Sequence, residues 1–340
     1  MRVLVTGATG YIGSHTCIEL LNDKNIDVVG LDSLINSSED TLKNIEEISG
    51  RKIEFHKLDL VDEQACYSLF QELGQIDGVI HFAALKAVGE SVETPLLYYR
   101  NNLLSLINLL KCCGDFGIEN FIFSSSCSLY GNVKTLPVNE DTPLSKTESP
   151  YAHTKLVGEE ILRAAASVQS LKVISLRYFN PVGAHPSGLN GENPINKPNN
   201  LVPVITQTAS GIIEKMHVHG TDYPTRDGSC IRDYIHVSDI ADAHILALHH
   251  QLNGKQGANY EVFNLGTGQG VSVLEAIKAF EEVRGVSLNY ELGPRRAGDV
   301  AEIYSDSAKA EQVLGWKPKF DLREMMASAW RWQEYLNSNS

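Results

Sequence analysis

No CxxC pair and no cysteine–histidine spacing of the zinc-holding kind occurs in the 340 residues, although Cys17, Cys66, Cys112, Cys113, Cys127 and Cys230 are present. Most of these lie in apolar stretches, so free buried thiols are expected rather than disulfides, and no metal centre is expected. Also missing is an apolar run approaching the ~18 residues that a membrane span requires. The chain enters a strand-like RVLVT at once, without the pattern of a secretory leader. A basic excess is lacking too: the formal net charge is -13. That excludes nucleic acid and an anionic membrane as main partners, because both need a basic surface. A small anion remains possible, since it needs only a few local arginines and helix N-termini. Internal repeats and low-complexity tracts are absent. With 43% hydrophobic and 21% charged residues, the chain reads as a soluble, cytoplasmic protein of one large or two small domains.

What is present is an alternation. Short β-branched runs at Arg2–Thr6, Asp27–Asp32, Lys52–Leu58, Gly78–Ala83, Asn120–Ser125 and Lys172–Tyr178 are expected as strands. Helix-period segments such as Tyr11–Asn22, Gln64–Leu73 and Leu96–Cys113 lie between them. Strands separated by such helices form crossover units, so an α/β fold with a doubly wound parallel sheet is expected. In such sheets ligands collect beyond the carboxyl ends of the strands. From Gly183 to Asn200 the chain turns polar and irregular, a binding loop or a boundary. Beyond it, helices near Leu201–Gly211, Val237–His249, Val271–Arg284 and Leu322–Tyr335 alternate with short strands, and the last Ser and Asn residues are expected to fray. The expected division is a Rossmann-type domain over 1–180, rejoined by a strand and helix from about 232–265, and a smaller mixed α/β substrate domain over 181–340.

The first strand runs into GATGYIG, with Gly7, Gly10 and Gly13 spaced three apart. Glycine there permits a tight turn and a close approach of backbone N–H groups to a pyrophosphate, and the helix N-terminus adds partial positive charge. A plain glycine-rich turn would read similarly. Asp32, ending the second strand about 20 residues on, is the further sign: an acid there accepts hydrogen bonds from adenosine ribose hydroxyls and repels a 2′-phosphate, which favours NAD over NADP. A strand-end turn former is the alternative for Asp32. Asp59 in KLDL, and Phe82-Ala83-Ala84 after the fourth strand, suit either a cofactor edge or ordinary strand termination.

The fifth strand ends in FIFSSSCSLYG, and PYAHTK follows. Tyr151 and Lys155, four apart on a helix, share one face. A phenol of ordinary pKa about 10 needs lowering by some three units, about 4 kcal/mol, to act as a base near neutrality. One ammonium ~4 Å away at intermediate dielectric supplies energy of that size, so lysine alone nearly suffices and a cationic nicotinamide would add to it. Tyr130 also has a lysine four residues on, Lys134, but Gly131, Asn132 and Pro137 make that segment a loop. Ser126 is the expected relay for a substrate proton. A serine nucleophile is the competing idea, but no G-x-S-x-G elbow surrounds it. Ser124 and Ser125 are expected to be structural.

The stretches MRVLVTGATGYIGSHT, IHFAALKAVGESV, FIFSSSCSLYG, SPYAHTK, LRYFNPVGAHPSG, NNLVP, RDYIHVSDIADAH, YEVFNLGTG and PRRAGDVAEIYSD together resemble the extended short-chain dehydrogenase/reductase family over nearly the whole chain. By that resemblance Gly7, Gly10, Tyr11, Ile12, Gly13, Asp32, Ser33, Asn36, Ser37, Asp59, Leu60, Phe82, Ala83, Ala84, Lys86, Asn101, Lys155 and Phe179 would hold NAD. The substrate would meet Lys86, Ser126, Tyr151, Tyr178, Asn180, Asn200, Leu201, His217, Val218, His219, Arg232, Arg296, Asp299 and Ile303. The two arginines would neutralise a diphosphate, Asp299 would take the uridine ribose, and surface ion pairing is the plainer use of such charges. The implied reaction is reversible inversion at C4 of UDP-glucose and UDP-galactose, through a 4-keto intermediate with transient reduction of tightly held NAD. Tyr151, Ser126 and Lys155 would be catalytic. Dehydratases of this fold need an acid/base pair before the Tyr-Gly step, where this chain has Ser126-Cys127-Ser128. A dehydratase or reductase is the rival, and a non-catalytic NAD-binding protein would lack the tyrosine or the lysine. Ile303, of middling bulk, or Tyr304 if the alignment slips by one, would line the sugar pocket, so some turnover of UDP-N-acetylhexosamines is expected. A homodimer is implied too, with Leu96–Cys113 and Tyr151–Ala166 as candidate contacts.

Overall fold

Apolar, β-branched sequence with no polar face needs burial on both sides, and the run Val3, Leu4, Val5 is fully buried. The computed structural model describes residues 1–195, 198–296 and 299–339. In chain order the elements are β1 (Arg2–Thr6), α1 (Tyr11–Leu21), β2 (Asp27–Asp32), α2 (Thr41–Ser49), β3 (Glu54–Lys57), α3 (Glu63–Leu73), β4 (Gly78–His81), α4 (Val88–Glu93), α5 (Pro95–Asp115), β5 (Asn120–Ser126), α6 (Pro150–Val168), β6 (Lys172–Tyr178), β7 (Asn180–Val182), α7 (Leu201–Ala209), β8 (Met216–His219), β9 (Ile231–His236), α8 (Val237–Leu252), β10 (Tyr260–Leu265), β11 (Gly270–Ser272), α9 (Val273–Arg284), β12 (Tyr290–Gly293), β13 (Glu302–Ile303), α10 (Ala308–Leu314) and α11 (Leu322–Ser338). A single 3-10 turn, Cys127–Tyr130, follows β5.

The principal sheet has seven strands in the order β10-β6-β5-β4-β1-β2-β3, every neighbouring pair parallel. The chain winds outward from β1 to β3, then returns to start β4 on the other side of β1. This reversal opens a crevice beyond the carboxyl ends of β1 and β4. One face of the sheet is covered by Cys17, Ile18 and Leu21 of α1 with Ile240, Ala243 and Leu248 of α8. The other is covered by Leu69 and Phe70 of α3, Leu106 and Leu109 of α5, and Leu162 and Ala166 of α6. The doubly wound parallel sheet is therefore present as expected.

A smaller mixed sheet centres on β9, which pairs antiparallel with β11 and parallel with β7 and β13. Beside it, β8 and β12 form a parallel pair. Val202, Ile205, Phe280, Met326 and Trp330 of α7, α9 and α11 pack into a separate core here. The return of the chain to the large sheet starts at α8, since β9 (Ile231–His236) pairs within the small one. Several sequence-based boundaries shift. The third and fourth strands are Glu54–Lys57 and Gly78–His81, shorter than Lys52–Leu58 and Gly78–Ala83; the last bonds to the neighbouring strands come from the Leu58 and Phe82 nitrogens. The chain end does not fray at Tyr335: α11 continues to Ser338, and Asn339 Nδ2 donates to the Tyr335 carbonyl at 2.8 Å. The irregular 183–200 stretch, of which 196 and 197 lie outside the described residues, is pinned to α1 by Asn190, whose Nδ2 donates to Ser14 Oγ at 2.9 Å.

Candidate active site

The glycine turn is shaped by close contact. Gly7 takes φ +72°, and a Cβ there would stand 2.8 Å from the Ala83 nitrogen; a Cβ on Gly13 would lie 2.0 Å from the Gly7 carbonyl oxygen. Only glycine lets β1, α1 and the end of β4 meet this closely. Gly10 caps α1 without any side-chain hydrogen bond, so no side chain covers the first-turn N–H groups of Tyr11 and Ile12. Asp32 is buried and takes hydrogen bonds from the Thr9 and Leu34 nitrogens at 3.1 and 2.9 Å and from Ser37 Oγ at 3.1 Å. Leu34 holds φ +61°, a strained conformation for leucine, beside this carboxylate. Ser33 and Ser37 are half-buried and Asn36 is exposed on the same loop. Asp59 accepts from the Val61 nitrogen at 3.0 Å, the bond of a turn former, and Leu60 is buried behind it. These groups fit a dinucleotide: a cradle that a Cβ would fill, an uncovered helix N-terminus and a carboxylate at the end of β2.

Just past the end of β4, Phe82, Ala83 and Ala84 are half-buried, with the Phe82 nitrogen bonded to the Thr6 carbonyl at 3.0 Å. Lys86 pairs with Glu192 at 3.0 Å and stands 5.9 Å from the centre of the Tyr11 ring. Tyr11 donates its hydroxyl to the Gly183 carbonyl at 2.6 Å, which ties the glycine turn to the irregular segment. Asn101 is half-buried, whereas its neighbour Asn102 braces the Leu85 backbone and Thr154.

Tyr151 and Lys155 both lie on α6, which starts at Ser149 capping the Ala152 nitrogen, with Pro150 in the first turn. The Lys155 ammonium donates to the Ser124 carbonyl at 2.6 Å and Ser124 Oγ at 3.1 Å, and lies 4.9 Å from the centre of the Phe123 ring. Burial pushes its pKa down to about 7, with Glu159 acting against that fall. Burial also pushes the Tyr151 phenol up to about 12, with a hydrogen bond to Ser126 pulling the other way. In the protein by itself burial is the largest influence on both groups, and the ammonium's hydrogen bonds go to Ser124. Ser126 Oγ also accepts from Ser128 Oγ at 2.9 Å. Ser124, expected to be structural, instead holds the lysine. Tyr178 is buried with its hydroxyl bonded to Ser124. Tyr130, by contrast, is fully buried and donates to Asn264 Oδ1 at 2.7 Å, away from Lys134.

Across the crevice, Asp299 gathers the arginines. Arg296 bonds it through Nε at 3.2 Å and Nη2 at 3.0 Å, and Arg232 Nη2 lies 3.7 Å away. Asn180 opens β7, Phe179 before it is buried, and Asn200 caps α7 while donating to Glu192 at 2.7 Å. Leu201 is half-buried at the start of α7. On β8, Val218 points into the core, while His217 and His219 are exposed and His217 pairs with Glu291 at 2.9 Å. Ile303 is buried against Tyr130, Val138 and Phe179, beside Cys127. Tyr304 lies against Gly270. All six cysteines are free, and only Cys127 is less than fully buried. Sequence reading missed Glu192, which joins Lys86 to Asn200, and the buried pair Glu159–Arg177; Arg177 lies in the LRYFNPVGAHPSG stretch, but Glu192 and Glu159 sit in no motif, and a glutamate within a helix carries no local signal of burial.

Comparison with known proteins agrees with this geometry. A family model described as GDP-mannose 4,6 dehydratase matches residues 4–329. A UDP-glucose 4-epimerase of Bacillus subtilis (strain 168) is 50% identical over 334 residues, 98% of this chain and 97% of that one. Among solved structures, a UDP-glucose 4-epimerase from Bifidobacterium longum in complex with NAD+ and UDP superposes with TM-score 0.95 at 45% identity, covering 100% of both chains. A UDP-glucose-4-epimerase from Stenotrophomonas maltophila with bound NAD and formylated UDP-arabinopyranose gives the same TM-score, 0.95, and identity, 45%, again over 100% of each chain.

Proposed function

The chain belongs to the family that the matching dehydratase model describes, the extended short-chain dehydrogenase/reductases, and within it to the UDP-glucose 4-epimerases, and from that premise we propose how its own residues carry the reaction. It is an isomerase that uses NAD to interconvert UDP-glucose and UDP-galactose at C4. When bound, NAD supplies the reversible oxidant at C4 and a positive charge near the phenol. The observation that carries the assignment of roles is the placement of Tyr151 against Ser126, one turn from a lysine fixed on Ser124, beyond the carboxyl ends of β5 and β6.

Gly7, Gly10 and Gly13, with the α1 N-terminus, would seat the pyrophosphate, and Asp32 the adenosine ribose. Tyr151 would accept the O4 proton, with Ser126 as the relay between sugar and phenol. Lys155 would hold the nicotinamide ribose and add positive charge beside Tyr151. Arg232 and Arg296, now sharing Asp299, would turn to the diphosphate, freeing the carboxylate for the uridine ribose. Firm anchoring of the nucleotide leaves the flat 4-keto sugar free to turn over between proton removal and proton return. Against dehydration, Ser126-Cys127-Ser128 offers no carboxylate to protonate a leaving hydroxyl.

The test is incubation of purified protein with UDP-galactose and no added NAD. UDP-glucose should form with no net change in cofactor absorbance. Loss of water from the sugar, or accumulation of reduced cofactor, would overturn the reading.

For assembly, a homodimer through α5 and neighbouring α4 and α6 is supported by apolar side chains left in solvent there: Leu96 is 81% exposed and Val92 61%. No helix among the described residues is long and apolar enough to cross a membrane. A cytoplasmic location is supported by the six unpaired thiols.

A further inference from the structure

We propose that Glu159 is a positioning residue for the reaction: through Ser125 and Arg177 it fixes the end of β5, and it keeps the Lys155 side chain in its charged form. The proposal rests on the roles given above to Tyr151 and Lys155.

Glu159 lies one turn beyond Lys155 on α6 and is 1% exposed. Its carboxylate accepts from Ser125 Oγ at 2.5 Å, from Arg177 Nε at 2.8 Å and from Arg177 Nη2 at 2.6 Å. Arg177, on β6, reaches on to the Tyr130 hydroxyl at 3.1 Å. Three consecutive serines at the end of β5 therefore hold three consecutive functions. Ser124 binds the ammonium, Ser125 binds Glu159, and Ser126 meets the phenol. A buried ion pair gives little net stability over apolar residues of the same volume, so stability alone does not account for this one.

The charges around Lys155 leave Glu159 the supporting part. On β4, buried His81 is neutral, its pKa lowered by burial and by Lys155 itself. Tyr151 on α6 and Tyr178 on β6 are phenols held protonated by burial. Around Glu159 stand Arg177, Tyr130, Arg163 on α6 and Tyr260 on β10, of which the two arginines are positive. Glu159 is the group that opposes loss of the ammonium charge. Without it, the buried Arg177 guanidinium would be left on the same side of α6 with no compensating negative charge.

The test compares the pH dependence of kcat for UDP-galactose epimerisation in the wild type, Glu159→Gln, and the double variant Glu159→Gln with Arg177→Met. The double variant removes both charges together and keeps an oxygen for Ser125, so it avoids stranding a buried arginine. The high-pH limb, where the ammonium is lost, should move to lower pH in both variants and further in the single one. A shift of about half a unit in the double variant lowers the activity remaining on that limb about threefold, with KM and bound NAD little changed. A purely structural pair predicts superimposable profiles, and that result would overturn the proposal. A double variant that cannot fold would also count against it, by placing the pair in the scaffold. Absence of epimerisation in the wild type would instead defeat the reading on which the proposal rests.

Discussion

Tyr151 is caught between two demands at the scale of a single residue. As the proposed base it must be dry enough for a proton to move directly between it and the sugar, yet burial is the main influence pushing its pKa up to about 12. Ser126 opposes that by hydrogen bonding, and positive charge must do the rest. Replacing Tyr151 by Phe removes the proton acceptor and leaves the ring's packing, so kcat should fall by about 10²–10⁴ while NAD stays bound. Cofactor content after gel filtration, together with turnover of UDP-galactose, checks both halves; unchanged turnover would refute the assigned base. Ile303 is the second informative residue. Buried beside Phe179 and Cys127, it is a side chain shorter than an aromatic at the position proposed to line the sugar pocket. UDP-N-acetylglucosamine should therefore be turned over at a rate comparable to UDP-glucose, and complete inertness would end that expectation.

Among the elements, α1 and α6 do most to build the site, and they differ in how openly the sequence announces them. The spacing of Gly7, Gly10 and Gly13 declared a strand–turn–helix because only glycine tolerates the approach distances seen there. Gly13→Ala places a methyl group 2.0 Å from the Gly7 carbonyl oxygen, so α1 must move away from the turn. The expected cost is about 1–3 kcal/mol of stability, seen as a lower Tm, with loss of copurified NAD. Retention of NAD at full occupancy would show that the close approach is not needed for binding. For α6, Tyr151 and Lys155 stood out by their spacing, yet Glu159 on the same helix did not, since its burial depends on β5 and β6. The helix α2 was not singled out either, although Leu42, Ile45 and Ile48 recur at helical spacing and pack beside α1. Ends of strands were overread at Ala83 and Leu58, because apolar sequence continues a residue or two beyond the last ladder pairs.

For the whole molecule, buried imidazoles set the response to acid. Burial lowers His15 and His81 to about 3, and His236 and His244 to about 4. Between pH 6.5 and 4 the unfolded chain takes up protons that the folded one refuses, so stability rises with pH and is lost on acidification. Each such histidine contributes about 1.4 kcal/mol per pH unit. Asp239, raised to about 6 by burial, works in the opposite direction with Glu19 and Glu140, also raised by burial, while His185, lowered by burial, adds to the four histidines. Urea denaturation at pH 7.5 and 5.0 should show a clear fall in midpoint at the lower pH, and equal midpoints would contradict it. On assembly, sedimentation should give twice the 37.4 kDa chain mass, and Leu96→Glu should shift it toward the single chain. The sequence by itself determined the order of strands and helices, the glycine turn, Asp32 and the Tyr151/Lys155 pair, because each depends on short-range geometry: the pitch of a helix, the room at a turn, the end of a strand. Only the tertiary structure decided that Lys155 is held by Ser124, that Glu159 pairs with Arg177 one turn further on, that Glu192 links Lys86 to Asn200, and that Ile303 is buried with Tyr130, Val138 and Phe179. Those facts depend on which distant segments share a dry space, and burial, which sets the cost of every charge there, belongs to the folded chain and to no local stretch of it.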